Sequence, residues 1–90
     1  MNYRIDWAAS AHDRLERIWM ASPDKATVLR AASRIDFLLA QDPYRDDAVV
    51  LGDERTFIVE PLAVDFAVLH SERRVIILNV WMIGFLDNEN

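Results

Sequence analysis

The spacing of apolar residues changes along this chain, and each change limits what the segment can form. Tyr3, Ile5 and Trp7 alternate with Arg4 and Asp6, the period of a strand with one apolar face. From residue 8 the period lengthens. Ala11, Leu15, Ile18 and Trp19 recur at three and four, with His12, Asp13, Arg14, Glu16 and Arg17 between them. That pattern predicts an amphipathic helix over 8–21, with Asp13 and Arg17 as an exposed i,i+4 pair. Ser22-Pro23-Asp24 then reads as a new helix start. Ser22 caps, Pro23 takes the first helical position and Asp24 complements the dipole. Val28, Ala32, Ile35 and Leu39, flanked by Ala31 and Leu38, carry this second helix to about Gln41, and Asp42-Pro43 stops it. Two such helices joined by a short turn predict an antiparallel hairpin.

Beyond the polar loop the period falls to two. Val49, Val50 and Leu51 read as a short strand or an irregular packed segment, and residues 55–60 as a strand that Pro61 breaks or bends. Residues 62–69 form the next strand, with Leu62, Val64, Phe66 and Val68 on one face and Ala63, Asp65, Ala67 and Leu69 on the other. His70-Ser71-Glu72 is a tight polar turn, and residues 73–83 form a last strand apolar on both faces. The order is β-α-α-β-β-β, an α+β fold in which the helical hairpin covers one face of an antiparallel sheet of about four strands. Residues 1–86 make one domain, and residues 87–90 read as a frayed tail.

The other sheet face is then open, and composition makes that matter. A 90-residue chain that is 52% apolar buries only about 60–65% of its unfolded surface on folding, so a partner is expected over part of the rest. The absence of cysteine excludes a disulfide scaffold, a cysteine nucleophile and a thiolate metal site. A net charge of −5 removes the simple electrostatic argument for nucleic acid. The longest apolar stretch, residues 75–86, is interrupted by Asn79 and is shorter than the roughly 20 residues of a membrane-spanning helix. With no signal-peptide pattern at the start, the sequence predicts a cytoplasmic protein with no membrane partner. His12 has no second His or acid at metal-binding spacing, and no phosphate-loop or zinc-protease motif occurs. No metal or cofactor is expected.

Several segments together resemble the RelE/ParE toxins of bacterial type II toxin–antitoxin pairs. Tyr3-Arg4-Ile5-Asp6-Trp7 with Ala11 and Leu15 is similar to the family's opening strand and helix. Ala32, Ile35 and Leu39 closing on Asp42-Pro43 fit its second helix. Gly52-Asp53-Glu54-Arg55 is similar to its entry to the β-meander, and the stretches 61–68 and 74–81 to its later strands. The resemblance covers residues 3–82. It implies the compact RelE/ParE fold, a cognate antitoxin as partner, and growth inhibition through DNA gyrase or through mRNA cleavage on the ribosome. Ribonuclease members resemble one another in a C-terminal Arg and often a Tyr. Here no Arg, Lys, His or Tyr follows Trp81. The resemblance therefore points by default to the ParE-like route, with leaning against an enzyme. A RelE-like ribosome-dependent mRNA endonuclease and a non-toxic antitoxin-binding or regulatory module are the alternatives, and a homodimer stays open.

Cleavage of RNA through its 2′-hydroxyl needs a base, an acid and cations for the developing charge. Arg55, Arg73 and Arg74 are the candidate catalytic cations. Arg55 either contacts a phosphate on the open face or pairs with Asp53, Glu54 or Asp65. Asp65, His70, Trp81 and Phe85 are the candidate partner-binding residues. Asp65 is a carboxylate on an apolar strand, and His70 stands beside Arg73 and Arg74 at a hairpin. Trp81 and Phe85 either anchor a partner segment or close the core.

Overall fold

The computed structural model describes residues 2–83. Its elements are β1 (Arg4–Trp7), α1 (Ala9–Ala21), α2 (Lys25–Gln41), β2 (Val49–Leu51), β3 (Glu54–Val59), β4 (Leu62–Leu69), a 3₁₀ turn (His70–Glu72) and β5 (Arg74–Met82). The α+β reading holds, with five strands in one sheet ordered β1-β5-β4-β3-β2. β2 to β5 form an antiparallel meander, while β1 lies parallel to β5, with Ile5 beside Val75 and Trp7 beside Ile77. Parallel neighbours need a long crossover, and residues 8–73, the helical hairpin and β2 to β4 together, supply it. β5, apolar on both faces, takes a position between two neighbours, as such strands do.

The apolar stripes meet as their spacing requires. Val28, Ala31, Ala32, Ile35 and Leu39 of α2 and Ala11 of α1 are buried against Phe57, Leu62, Val64, Phe66, Val75, Ile77 and Val80. Leu15, Ile18 and Trp19 are half-buried at the rim of this core. One feature of β5 is invisible in its sequence. Asp65 pairs with Asn79 but Phe66 with Ile77, so Leu78 is an extra residue. This bulge lets Ile77 and Val80 both face the helices, although their spacing is odd.

The start of α2 differs from expectation. Ser22 belongs to the end of α1, and its Oγ accepts from the Asp24 N–H at 3.2 Å. Asp24 is the cap: its carboxylate accepts from the Thr27 N–H at 3.1 Å and the Thr27 hydroxyl at 2.6 Å. Those bonds hold its carboxyl below the ordinary value. Pro23 thus precedes the cap instead of following it. A carboxylate that can reach two donors of the first turn outcompetes the shorter serine hydroxyl. Asp24→Ala is expected to cost about 1 kcal/mol of stability, read from chemical denaturation. Ser22→Ala removes no helix-capping bond and is expected to cost less.

Two ties bind β1 to α2. The Trp7 indole donates to Asp36 Oδ1 at 2.8 Å, and the Tyr3 N–H donates to the Ala40 carbonyl at 2.8 Å. The second bond satisfies one of the carbonyls that the last turn of a helix leaves without a partner. Burial raises the Asp36 carboxyl above its ordinary value, and the Trp7 hydrogen bond opposes that rise. No helix among the described residues is long and apolar enough to cross a membrane.

Candidate functional site

The tie between Tyr3 and α2 opens a cluster that the sequence alone does not reveal. Past the end of α2, the Tyr44 N–H donates to Asp42 Oδ1 at 2.9 Å, which folds Tyr44 back beside the helix end. Tyr3 and Tyr44 meet edge to face, with ring centroids 6.2 Å apart. Both hydroxyls converge on one atom, His70 Nδ1, at 3.3 Å from Tyr3 and 3.2 Å from Tyr44. Two guanidiniums flank the group: Arg55 stands 5.0 Å over the Tyr44 ring and Arg73 5.5 Å over the Tyr3 ring.

The backbone at Arg73 supports this arrangement. Its φ of 50° and ψ of 52° place it in the left-handed region, which a side chain other than Gly or Asn occupies at a cost of order 1 kcal/mol. The Arg73 N–H closes the 3₁₀ turn on the His70 carbonyl at 3.1 Å. Arginine therefore occupies a position where glycine would be less strained, and it carries its charge to Tyr3.

The chemistry follows from valence. A neutral imidazole Nδ1 carries either one lone pair or one proton. Two hydroxyls within reach can donate to the first or accept from the second, so both tautomers are satisfied. Among the described residues Nε2 has no partner. Nε2 is thus able to give or take a proton while Nδ1 stays bonded. Desolvation, helped by neighbouring Tyr3 and opposed by Arg55, raises the Tyr44 hydroxyl above its ordinary value of 10.0. Tyr44 stays a neutral donor. A lone-pair Nδ1 takes one hydroxyl proton and a protonated Nδ1 takes none, so at least one hydroxyl stays available to an incoming oxygen. A proton-exchanging nitrogen, a hydroxyl donor and two cations at one surface suit a phosphodiester.

The expected site residues separate in space. Arg55, His70 and Arg73 come together here. Arg55 lies opposite Phe66 on the helix side of the sheet, not on the open face. Among the described residues it pairs with none of Asp53, Glu54 and Asp65. Arg74 points the other way and is neutralised, its Nε donating to Asp6 Oδ2 at 2.7 Å and its Nη1 to Glu72 at 3.3 Å. The same contact holds the Asp6 carboxyl below its ordinary value, with Arg4 adding to it. Asp65 is on the open face as expected, but its partner is the Thr56 hydroxyl at 2.6 Å. Trp81 lies on that face opposite Ala63 and is half-buried. Phe85 and the expected tail over 87–90 lie outside the described residues. His12 does have acidic neighbours: ligand atoms of His12, Asp13 and Glu16 lie within 4.8 Å of one another, all exposed.

Tyr3 and Tyr44 were not singled out by the sequence. Tyr3 reads as one apolar residue of a strand and Tyr44 as the residue after a helix stop. The usable signal is that a tyrosine at an element end keeps its hydroxyl wet while burying its ring.

No protein-family model matches the sequence, and no curated protein matches it. Solved structures do resemble the fold. A RelBE2 toxin–antitoxin complex from Mycobacterium tuberculosis has a TM-score of 0.75 at 17% identity, over 91% of this chain and 99% of that one. The isolated E. coli RelE toxin has a TM-score of 0.68 at 10% identity, over 91% and 85%. A RelE–RelB complex from Pyrococcus horikoshii has 0.67 at 19% identity, over 94% and 99%. The match runs through nearly the whole chain in each case, so the architecture is shared rather than a fragment of it: this chain has the fold of the RelE toxins.

Proposed function

We propose that this chain is the toxin of a type II toxin–antitoxin pair, restrained by a cognate antitoxin, and that it arrests growth by cleaving messenger RNA on the ribosome. The observation that carries the target is the convergence of Tyr3 and Tyr44 on His70 between Arg55 and Arg73. Support for the toxin and its partner comes from the solved structures, which are RelE toxins alone and in complex with antitoxins. The gyrase route is the default by elimination, because no Arg, Lys, His or Tyr follows Trp81. The cluster supports the cleavage route instead, since it supplies an acid–base set from residues elsewhere in the chain.

In this reading the Arg55 and Arg73 guanidiniums hold the nonbridging oxygens of a phosphodiester. His70 Nε2 takes the proton of the 2′-hydroxyl as that oxygen attacks phosphorus. With Nε2 as base, Nδ1 carries the ring proton and donates it to a Tyr hydroxyl oxygen, so either Tyr O–H is able to donate its own proton to the same phosphate as its charge rises. The bond from phosphorus to the 5′-oxygen breaks, and that oxygen takes a proton from the imidazolium. The products are a 2′,3′-cyclic phosphate and a 5′-hydroxyl.

Tightly controlled expression is expected to stop growth, and purified protein added to a translation extract to cut the message and leave cyclic-phosphate ends. Growth arrest with intact message and inhibited supercoiling would move the target to gyrase. Normal growth of cells holding folded protein would remove the toxin reading in favour of a binding module.

A further inference from the structure

β2 is the outer edge of the sheet, with β3 as its single neighbour. Natural edges are blunted by charge, proline or cover. This one is apolar throughout: Val49, Val50 and Leu51 are 57%, 52% and 69% exposed. Ile58, also 52% exposed, extends the patch beside Val49 on the open face. The backbone is available as well. Gly52, at φ +63, heads a two-residue turn closed by Leu51 and Glu54. Antiparallel pairs alternate between bonded and unbonded. Counted from that closing pair, Val50 and Arg55 are unbonded, so the N–H and C=O of Val50 point away from the sheet.

The charges at the two ends of β2 choose the occupant. Asp46 and Asp47 precede it, and Asp53 and Glu54 follow it. Arg45 neutralises Asp47 with bonds of 2.8 and 3.0 Å. Asp46, Asp53 and Glu54 have no ion pair among the described residues. A second copy pairing antiparallel about Val50 would set Asp47 against Asp53 and Asp46 against Glu54, twice over. Like charges directly opposite destabilise a strand pair. The edge therefore rejects its own copy and favours a strand with basic ends.

We propose that β2 is a docking edge for an extended segment of another polypeptide, with apolar side chains at alternate positions and Lys or Arg at both ends. Its central residue exchanges two backbone bonds with Val50. The residues on either side of that centre lie on the open face against Val49 and Leu51. Its basic ends meet the acids that flank β2. This surface is on the opposite side of β3 from the core and stands whether or not the chain is toxic.

The test is an NMR titration of ¹⁵N-labelled protein with the capped peptide Lys-Thr-Val-Thr-Val-Thr-Lys. Saturable shifts are expected at the Val49, Val50 and Leu51 amides, weakening with added salt. The same peptide with glutamate at both ends is expected to bind roughly tenfold more weakly or less. Val50→Pro removes the outward N–H at an edge position that tolerates proline, and should abolish the shifts while the fold persists. If that variant does not fold, Leu51→Lys serves: it repels the peptide from an exposed position. Equal binding of the two peptides, shifts confined to other elements, or a dimer of the free protein in sedimentation would each overturn the proposal.

Discussion

Phe66→Ala is expected to remove about 3–5 kcal/mol of stability, the cost of truncating a buried aromatic to a cavity. Phe66 is fully buried and is the largest such side chain in the core. It sits on β4 opposite Ile77, where the bulge in β5 resets the register, so its ring fills the sheet beneath the helical hairpin. Backbone pairing on both sides holds the strand in place, and collapse into the vacated space is limited. Small domains have about 5–15 kcal/mol to lose. At about 4–8 °C per kcal/mol for a domain of this size, the thermal midpoint falls by roughly 12–40 °C. Ile58→Ala, on the opposite sheet face and 52% exposed, removes a side chain that contributes little to the core and is expected to stay within ~0.5 kcal/mol. Thermal and urea unfolding of both variants decides this. Similar midpoints for the two would mean that the helices do not pack on the Phe66 face.

Much of this architecture was legible because it follows from period. Val28, Ala31, Ala32, Ile35 and Leu39 all lie in the core, since a 3.6-residue stripe has one side to bury. The β4 faces also fall as their alternation requires. The parallel placement of β1 was not legible. Strand order depends on which edge is free once the helices have packed, and no residue in Arg4–Trp7 encodes a neighbour. The bulge at Leu78 was hidden for a similar reason. In a strand apolar on both faces, one inserted residue leaves the pattern unchanged.

The site was legible only in its cations and its histidine. Arg55, His70 and Arg73 stood out as charged groups near turns, but their meeting depends on two tyrosines from distant segments. Tyr3 is 41 positions before Tyr44 and 67 before His70. The pairing of β1 with β5, the Tyr3 bond to the Ala40 carbonyl and the turn at Asp42 bring them to one place. Arg74 was indistinguishable from Arg73 by sequence. The left-handed backbone at Arg73 separates them, sending Arg73 to the tyrosines and leaving Arg74 on the strand to pair with Asp6.

That geometry makes a sharp statement about His70. In the cleavage reading, His70→Ala removes both the base and the acid of the reaction, and the rate should fall by about 10²–10⁴. His70 is exposed, so the thermal midpoint should hardly move. The tyrosines should behave in a way that separates catalysis from packing. Either hydroxyl alone can keep Nδ1 bonded, because both lie within 3.3 Å of it. Tyr3→Phe and Tyr44→Phe are then expected to lose little singly. The double variant leaves Nδ1 unbonded and also removes the hydroxyl donor, so its loss should exceed the sum of the two in free energy. Additive losses would mean that the hydroxyls act independently of His70. Full cleavage by His70→Ala would overturn its role as the group that takes and returns the proton.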